Sequence, residues 1–207
     1  MMLNPHEIWR YFSMRLGSQE IASPFALATI LWLYRDVAPQ YTLEVGHGIG
    51  TVTYMLAVWG SRRDSLVAVE DHPWCVEQAK ANLGHWSATV LWYDKVPQYM
   101  AFEFLVIDGP QIGAMEYEKV LAPRALVIFE GNRREQRRVL ETVLRLEQRP
   151  FVHVNLKPAD RSKGVWVYQL EPTRRECWRY YRQAIHEWWR DLRARLQGRM
   201  IGKRRRG

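Results

Sequence analysis

The residues able to do chemistry form an ordered series: Glu44, His47, Glu70, Asp71, Asp94, Asp108 and Glu130, with glycines at 46, 48 and 50. The densest stretch is Leu43-Glu44-Val45-Gly46-His47-Gly48-Ile49-Gly50-Thr51. Tyr41 and Thr42 before it begin an apolar run suited to a buried strand. Thr51 to Trp59 after it has the apolar spacing of a helix. Three alternate glycines therefore sit at a strand-to-helix turn. Glycine accepts positive φ and lets a ligand approach the backbone closely. The helix start beyond it offers unpaired N–H groups and a positive dipole end. Such a turn suits a nucleotide-type ligand. The dinucleotide fingerprint needs glycine at the first, third and sixth positions. The sixth position here is Thr51, so that pattern fails. A glycine-rich turn with no ligand is the plain alternative.

The remaining acids recur at strand ends. Ser65 to Val69 is a short apolar strand that runs into Glu70, and 26 residues separate Glu44 from Glu70, one β-α-β step. A carboxylate at the end of a second strand can accept both ribose hydroxyls. Pro73 opens the next helix, with Asp71 or His72 near its cap. Ala88 to Asp94 reads as a third strand, Phe102 to Asp108 as a fourth and Ala125 to Glu130 as a fifth. Acids at such C-terminal strand ends face the crevice where open α/β sheets bind ligands. His72 reads as a capping or exposed histidine, and His153 as a packed or edge one.

The run from Glu44 to Gly50, acid-x-Gly-x-Gly-x-Gly, resembles motif I of the class I S-adenosylmethionine (SAM) methyltransferases. The resemblance spans roughly residues 42–170. It implies that Glu44, Gly46, Gly48 and Gly50 face the methionine end of SAM, that Glu70 lies at the ribose and Asp94 near the adenine amine, and that His47 and Asp71 also belong to the cofactor site. Ile107-Asp108-Gly109-Pro110 resembles motif IV of the O-methyltransferase branch. There is no Asn/Asp-Pro-Pro-Tyr motif of amino-directed nucleic-acid methyltransferases, and no Pro-Cys pair for carbon-5 methylation of cytosine. Asp108 and Glu130 are then the candidates for base or acceptor-orienting residue, with Asp108 also beside the cofactor. The implied reaction is methyl transfer to a hydroxyl of a small molecule or sugar. Asp-Gly-Pro is also similar to the glucuronoxylan O-methyltransferases, which points to a glycan acceptor. Metal-dependent relatives hold a divalent ion with an Asp after strand four and an Asp-Asn pair after strand five. Here Glu130-Gly131-Asn132 displaces the Asn by one residue, which disfavours a metal.

The elements needed to position these residues form an α/β three-layer sandwich with a seven-stranded, mostly parallel sheet. Asn4-Pro5 and Ser23-Pro24 each start a helix, and Gly17 is the expected stop of the first. These two helices, residues 1–40, form an N-terminal cap that packs on the sheet or covers the SAM site. Residues 41–170 form the SAM-binding domain. Phe151 to Leu156 and Gly164 to Leu170 alternate as an antiparallel hairpin that closes the sheet.

The 207 residues suffice for one domain with a sizeable core. Met1 to Arg10 has no signal-peptide segment, and no run of 18 apolar residues exists to span a membrane. Cys75 and Cys177 lie far apart and read as free thiols, so a cytoplasmic setting is expected. The net charge of +8 sits entirely in residues 171–207, which hold 12 Lys/Arg and 4 acids. Trp178, Tyr181, Ile185, Trp188, Trp189, Leu192 and Leu196 recur there at helical steps with arginines between them. This tail suits docking on its own domain or on a second subunit as a homodimer. An anionic membrane is a second reading and nucleic acid a third. The chain could also be a SAM-binding scaffold, or an RNA-associated methyltransferase, whose tail does the biological work.

Overall fold

The computed structural model describes residues 3–60, 64–109, 112–158 and 164–176. Helix α1, Pro5–Ser13, opens with a capping box: Glu7 N–H donates to Asn4 Oδ1 at 3.0 Å, and Asn4 N–H donates to Glu7 Oε2 at 2.7 Å. It ends four residues before Gly17, which takes a left-handed φ of 84° at the start of a short 3₁₀ turn. Helix α2, Pro24–Val37, is capped by the Ser23 hydroxyl and ends at left-handed Ala38 before Pro39. Then follow β1 (Tyr41–Val45), α3 (Thr51–Trp59), β2 (Ser65–Val69), α4 (Pro73–Leu83), β3 (Val90–Tyr93) and β4 (Phe102–Ile107). The chain continues through α5 (Ala114–Val120), β5 (Leu121–Glu130), α6 (Arg134–Leu146), β6 (Phe151–Leu156) and β7 (Val165–Leu170).

The seven strands lie in the order β3-β2-β1-β4-β5-β7-β6. The first five are joined by parallel pairings, and β7 pairs antiparallel with both β5 and β6. Strand alternation divides the core in two. Ala68, Val106 and Ile128 face α1, α2 and α3 on one side. Val67, Leu105, Val127 and Phe129 face Tyr117 of α5 and Leu140 of α6 on the other. The N-terminal helices thus share the first core, with Ile8, Phe12, Leu27 and Ile30 fully buried.

Three boundaries differ from the sequence reading. β3 begins at Val90, because 84–89 form a 3₁₀ turn. β5 begins at Leu121, and Pro123 sits where the β4–β5 register shifts between Phe102 and Phe104. An irregular strand tolerates the missing proline N–H there. α1 ends at Ser13, short of the expected stop at Gly17. Among the described residues no helix is long and apolar enough to cross a membrane. The tail helix lies outside the described residues beyond Glu176, as does Cys177.

Candidate functional site

β1 and β4 are neighbours at the centre of the sheet, and their exit loops run side by side. Asp108 N–H donates to Val45 O at 2.9 Å, and Gly46 N–H donates to Val69 O at 2.8 Å. Gly46 has φ 78°, and a β-carbon there would lie 1.8 Å from Gly109 Cα. A β-carbon on Gly109 would in turn lie 2.0 Å from Gly46 Cα. Only two glycines permit this crossing, and it brings the acid of the second motif beside the turn of the first. Gly48 has φ 51°, and a β-carbon there would meet nothing within 4 Å. The space over Gly48 is open for a ligand.

That space is a cavity of about 480 Å³ lined by residues 46–49, Glu44, Glu70, Trp74, Asp108 and Arg133, and by the α1–α2 loop from Gly17 to Ala22. A second cavity of about 320 Å³ adjoins it, lined by Ser23, Glu130, Gly131 and Asn132. The two share Gln19, Glu20, Ile21, Asp108 and Arg133. A ligand over the glycine turn and a second ligand beside Glu130 would therefore meet at Asp108.

Glu44 is fully buried, with its Oε2 accepting the Thr53 hydroxyl at 2.6 Å. Burial pushes its carboxyl up to about 8; Thr53 opposes the shift, and the nearby charges of Asp108 and Glu70 add to it. Glu70 accepts the N–H groups of Gly48 and His72, each at 3.1 Å, which ties the turn to the end of β2. Four carboxyls, Glu20, Glu44, Glu70 and Asp108, around one cavity favour a ligand carrying positive charge. His47 is buried, with Nδ1 2.9 Å from Gly48 O. A carbonyl only accepts, so Nδ1 carries the proton. Burial lowers the histidine's pKa, leaving Nε2 a neutral buried acceptor with no protein partner.

Asp108 is held by Arg133, whose Nη2 reaches Asp108 Oδ1 at 2.7 Å and Asp108 O at 2.5 Å. Gln136 Nε2 donates to Gly109 O at 2.7 Å, so the start of α6 anchors the β4 exit loop twice. Burial first, and then the charge of Glu130, raises the Asp108 carboxyl well above the usual range; Arg133 opposes this, and a side-chain hydrogen bond with Glu130 adds to it. That hydrogen bond couples the two carboxyls. Arg133 pairs with one carboxylate oxygen of Asp108. The described residues contain no group of three His, Cys, Asp or Glu able to hold a metal.

The structure thus brings together Glu44, Gly46, His47, Gly48, Glu70 and Asp108 around the first cavity and Asp108 and Glu130 around the second. Gly50 stands behind the turn, against Leu83 and Ala79 of α4. Asp71 and Asp94 are exposed and do not line either cavity. Asp94 ends a strand two positions from β1, and its neighbour Tyr93 pairs only with β2. His72 serves through its backbone N–H, while its side chain is exposed. His153 is exposed on the edge strand β6. Residues that the sequence reading did not single out are Thr53, Trp74, Arg133 and the loop at 19–23. The Arg pair after Glu130 was the one visible signal for Arg133.

No family model matches the sequence, and no curated protein does. Solved structures do. An O-methyltransferase from Bacillus cereus, in complex with S-adenosylhomocysteine (SAH), aligns over 81% of this chain and 90% of its own, at 16% identity and TM-score 0.66. A methyltransferase from Geobacter sulfurreducens aligns over 82% and 90%, at 20% identity and TM-score 0.60. The O-methyltransferase TomG of Streptomyces achromogenes, involved in tomaymycin synthesis and in complex with SAM, aligns over 81% and 88%, at 14% identity and TM-score 0.55. With its β3-β2-β1-β4-β5-β7-β6 sheet, this chain has the Rossmann-like fold of the class I SAM-dependent methyltransferases.

Proposed function

We propose that this protein is a SAM-dependent methyltransferase acting on a hydroxyl of a small molecule or sugar. The observation that carries the reading is the pair of adjoining cavities that meet at Asp108. The first cavity suits the cofactor. Its glycine turn leaves an open approach at Gly48, and its four carboxyls complement a cationic sulfonium and ammonium. Glu44 and Glu70 would hold the cofactor from two sides. When bound, SAM supplies a methyl carbon whose bond to positive sulfur breaks as an acceptor oxygen attacks, leaving neutral SAH.

The second cavity suits a polar acceptor, with Gln19, Ser23, Glu130 and Asn132 offering hydrogen-bonding groups. The Asp108–Glu130 pair takes up the acceptor's hydroxyl proton, and its raised affinity for protons fits that task. Arg133 keeps Asp108 in place, and the rest of the catalysis is orientation of two bound partners. The α1–α2 loop borders both cavities. The fold by itself does not name an acceptor; the hydroxyl reading rests on this carboxyl pair and on the absence of base-methylation motifs. A cytoplasmic setting rests on the two separated cysteines.

A second reading is a SAM-binding scaffold or RNA-associated enzyme, favoured by the charge of residues 171–207. Calorimetric titration tests the cofactor. SAM and SAH should bind and NAD should not; binding of NAD alone would overturn the reading. Incubation of cell extract with methyl-labelled SAM tests the acceptor. Label should enter small metabolites or glycans. Label in RNA would sink the hydroxyl reading, and label in nothing would favour the scaffold.

A further inference from the structure

A further cavity of about 480 Å³ opens at the opposite end of the sheet, where the parallel strands begin. Half-buried Val37 of α2 gives it an apolar edge over the buried Leu33, Ala122 and Leu126, while Asp36, Glu103 and Glu176 bring carboxylates to it and Arg124 a guanidinium already paired with Glu176. Glu103 is fixed there by the N–H of Gln40 at 2.5 Å. The last described residues enter this groove. Thr173 and Glu176 cap one another: Thr173 N–H donates to Glu176 Oε2 at 2.6 Å, and Glu176 N–H donates to Thr173 Oγ1 at 3.3 Å. Arg124 also pairs with Glu176, at 2.6 Å. This reciprocal cap starts a helix at Arg174.

The residues that follow, 177–207, hold ten Lys/Arg and two acids. Their Trp178, Tyr181, Ile185, Trp188 and Leu192 recur at three- and four-residue steps, one face of a helix. A groove whose acids besides Glu176 are Asp36 and Glu103 thus stands where an aromatic, basic segment begins. We propose that this groove is the docking site of the chain's own segment 177–207, which lays its aromatic stripe on the apolar edge and its arginines toward Asp36 and Glu103. Covalent attachment at the groove gives the segment a high effective concentration there, which favours it over a second copy. Complementary charge sets its direction.

Hydrogen-exchange mass spectrometry of the full chain tests this, together with light-scattering mass over a dilution series. The amides of 178–192 should exchange about tenfold or more slower than an unstructured chain, at monomer mass and without lipid. Asp36→Lys, at an exposed position of α2, should remove that protection and speed exchange in 33–38 and 122–126. Trp188→Ser should do the same from the tail side, where it cannot disturb the body of the fold. Unprotected tail amides in the parent chain would overturn the proposal, as would protection unchanged in Asp36→Lys. Protection that falls on dilution with the mass would assign the groove to a second copy. Protection only in the presence of phosphatidylglycerol vesicles would assign the segment to a membrane. Either result would overturn docking within the chain.

Discussion

Replacing Glu44 by glutamine separates the cost of burying this acid from its use. The folded carboxyl titrates at about 8 against an ordinary value of 4.5, so the folded chain holds this proton more tightly than the unfolded chain. The stability that comes with the proton is fully present below the ordinary value. It is lost as pH rises through the folded one, and above that both states are ionised and the loss is constant. At 1.36 kcal/mol per unit, the gap corresponds to about 3–5 kcal/mol. Glutamine has the same shape, stays neutral, and can still accept the Thr53 hydroxyl. The stability of Glu44→Gln relative to the parent should therefore be near zero at about pH 4, climb between about pH 5 and pH 8, and level off at several kcal/mol. Urea unfolding across that range measures the difference directly. Parallel curves for parent and variant would refute the claim that burial holds a proton on Glu44. The same substitution should weaken SAM binding, because a cation can no longer draw the proton off. In the parent, calorimetry in buffers of different ionisation enthalpy should show proton release on binding near neutral pH, and the variant should lack it.

The glycines of the turn should part in their effects. Gly46→Ala drives a β-carbon into the Gly109 backbone and should prevent folding, seen as loss of a cooperative thermal transition. Gly48→Val should lower that transition, because φ 51° strains a branched side chain, but keep it cooperative, and should abolish SAM binding, because the side chain enters open space over the turn. Glu70→Ala should weaken SAM by about 1–3 kcal/mol through lost hydrogen bonds; Glu70→Gln, which keeps an acceptor for one of the two backbone N–H groups, should lose less in the same titration. For the carboxyl pair, activity should rise with pH as the raised Asp108 carboxyl gives up its proton. Asp108→Asn should lower kcat by about 10²–10⁴-fold and flatten that limb of the pH profile, with little change in the affinity for SAH.

The sequence by itself determined what depends on near neighbours. The caps at Asn4 and Ser23, the apolar strands, the alternation of β6 and β7 and the glycine turn all follow from side chains within a few residues of one another. From the order of these elements and the acids at their ends, the sheet and the positions of Glu44, Glu70, Asp108 and Glu130 were legible. Gly17 shows the limit of such local reading: it is left-handed, as a helix stop would be, but it sits in the loop over the cavity, where a β-carbon would meet Trp74 at 2.6 Å. Only the tertiary structure decided which groups meet. Gly46 and Gly109 are 63 positions apart in the chain, and their crossing exists because β1 and β4 are adjacent in the sheet. Arg133 reaches Asp108 because α6 starts beside the β4 exit loop. Trp74 and the loop at 19–23 become cavity walls only once α1, α2 and α4 have packed on the sheet. Asp94 follows the same strand-end rule as Glu70, yet it ends one strand further from β1 and remains in solvent. Spacing along a chain fixes which strand an acid ends; the distance from that strand to the crevice is set by the sheet order, to which residues far apart in sequence contribute together.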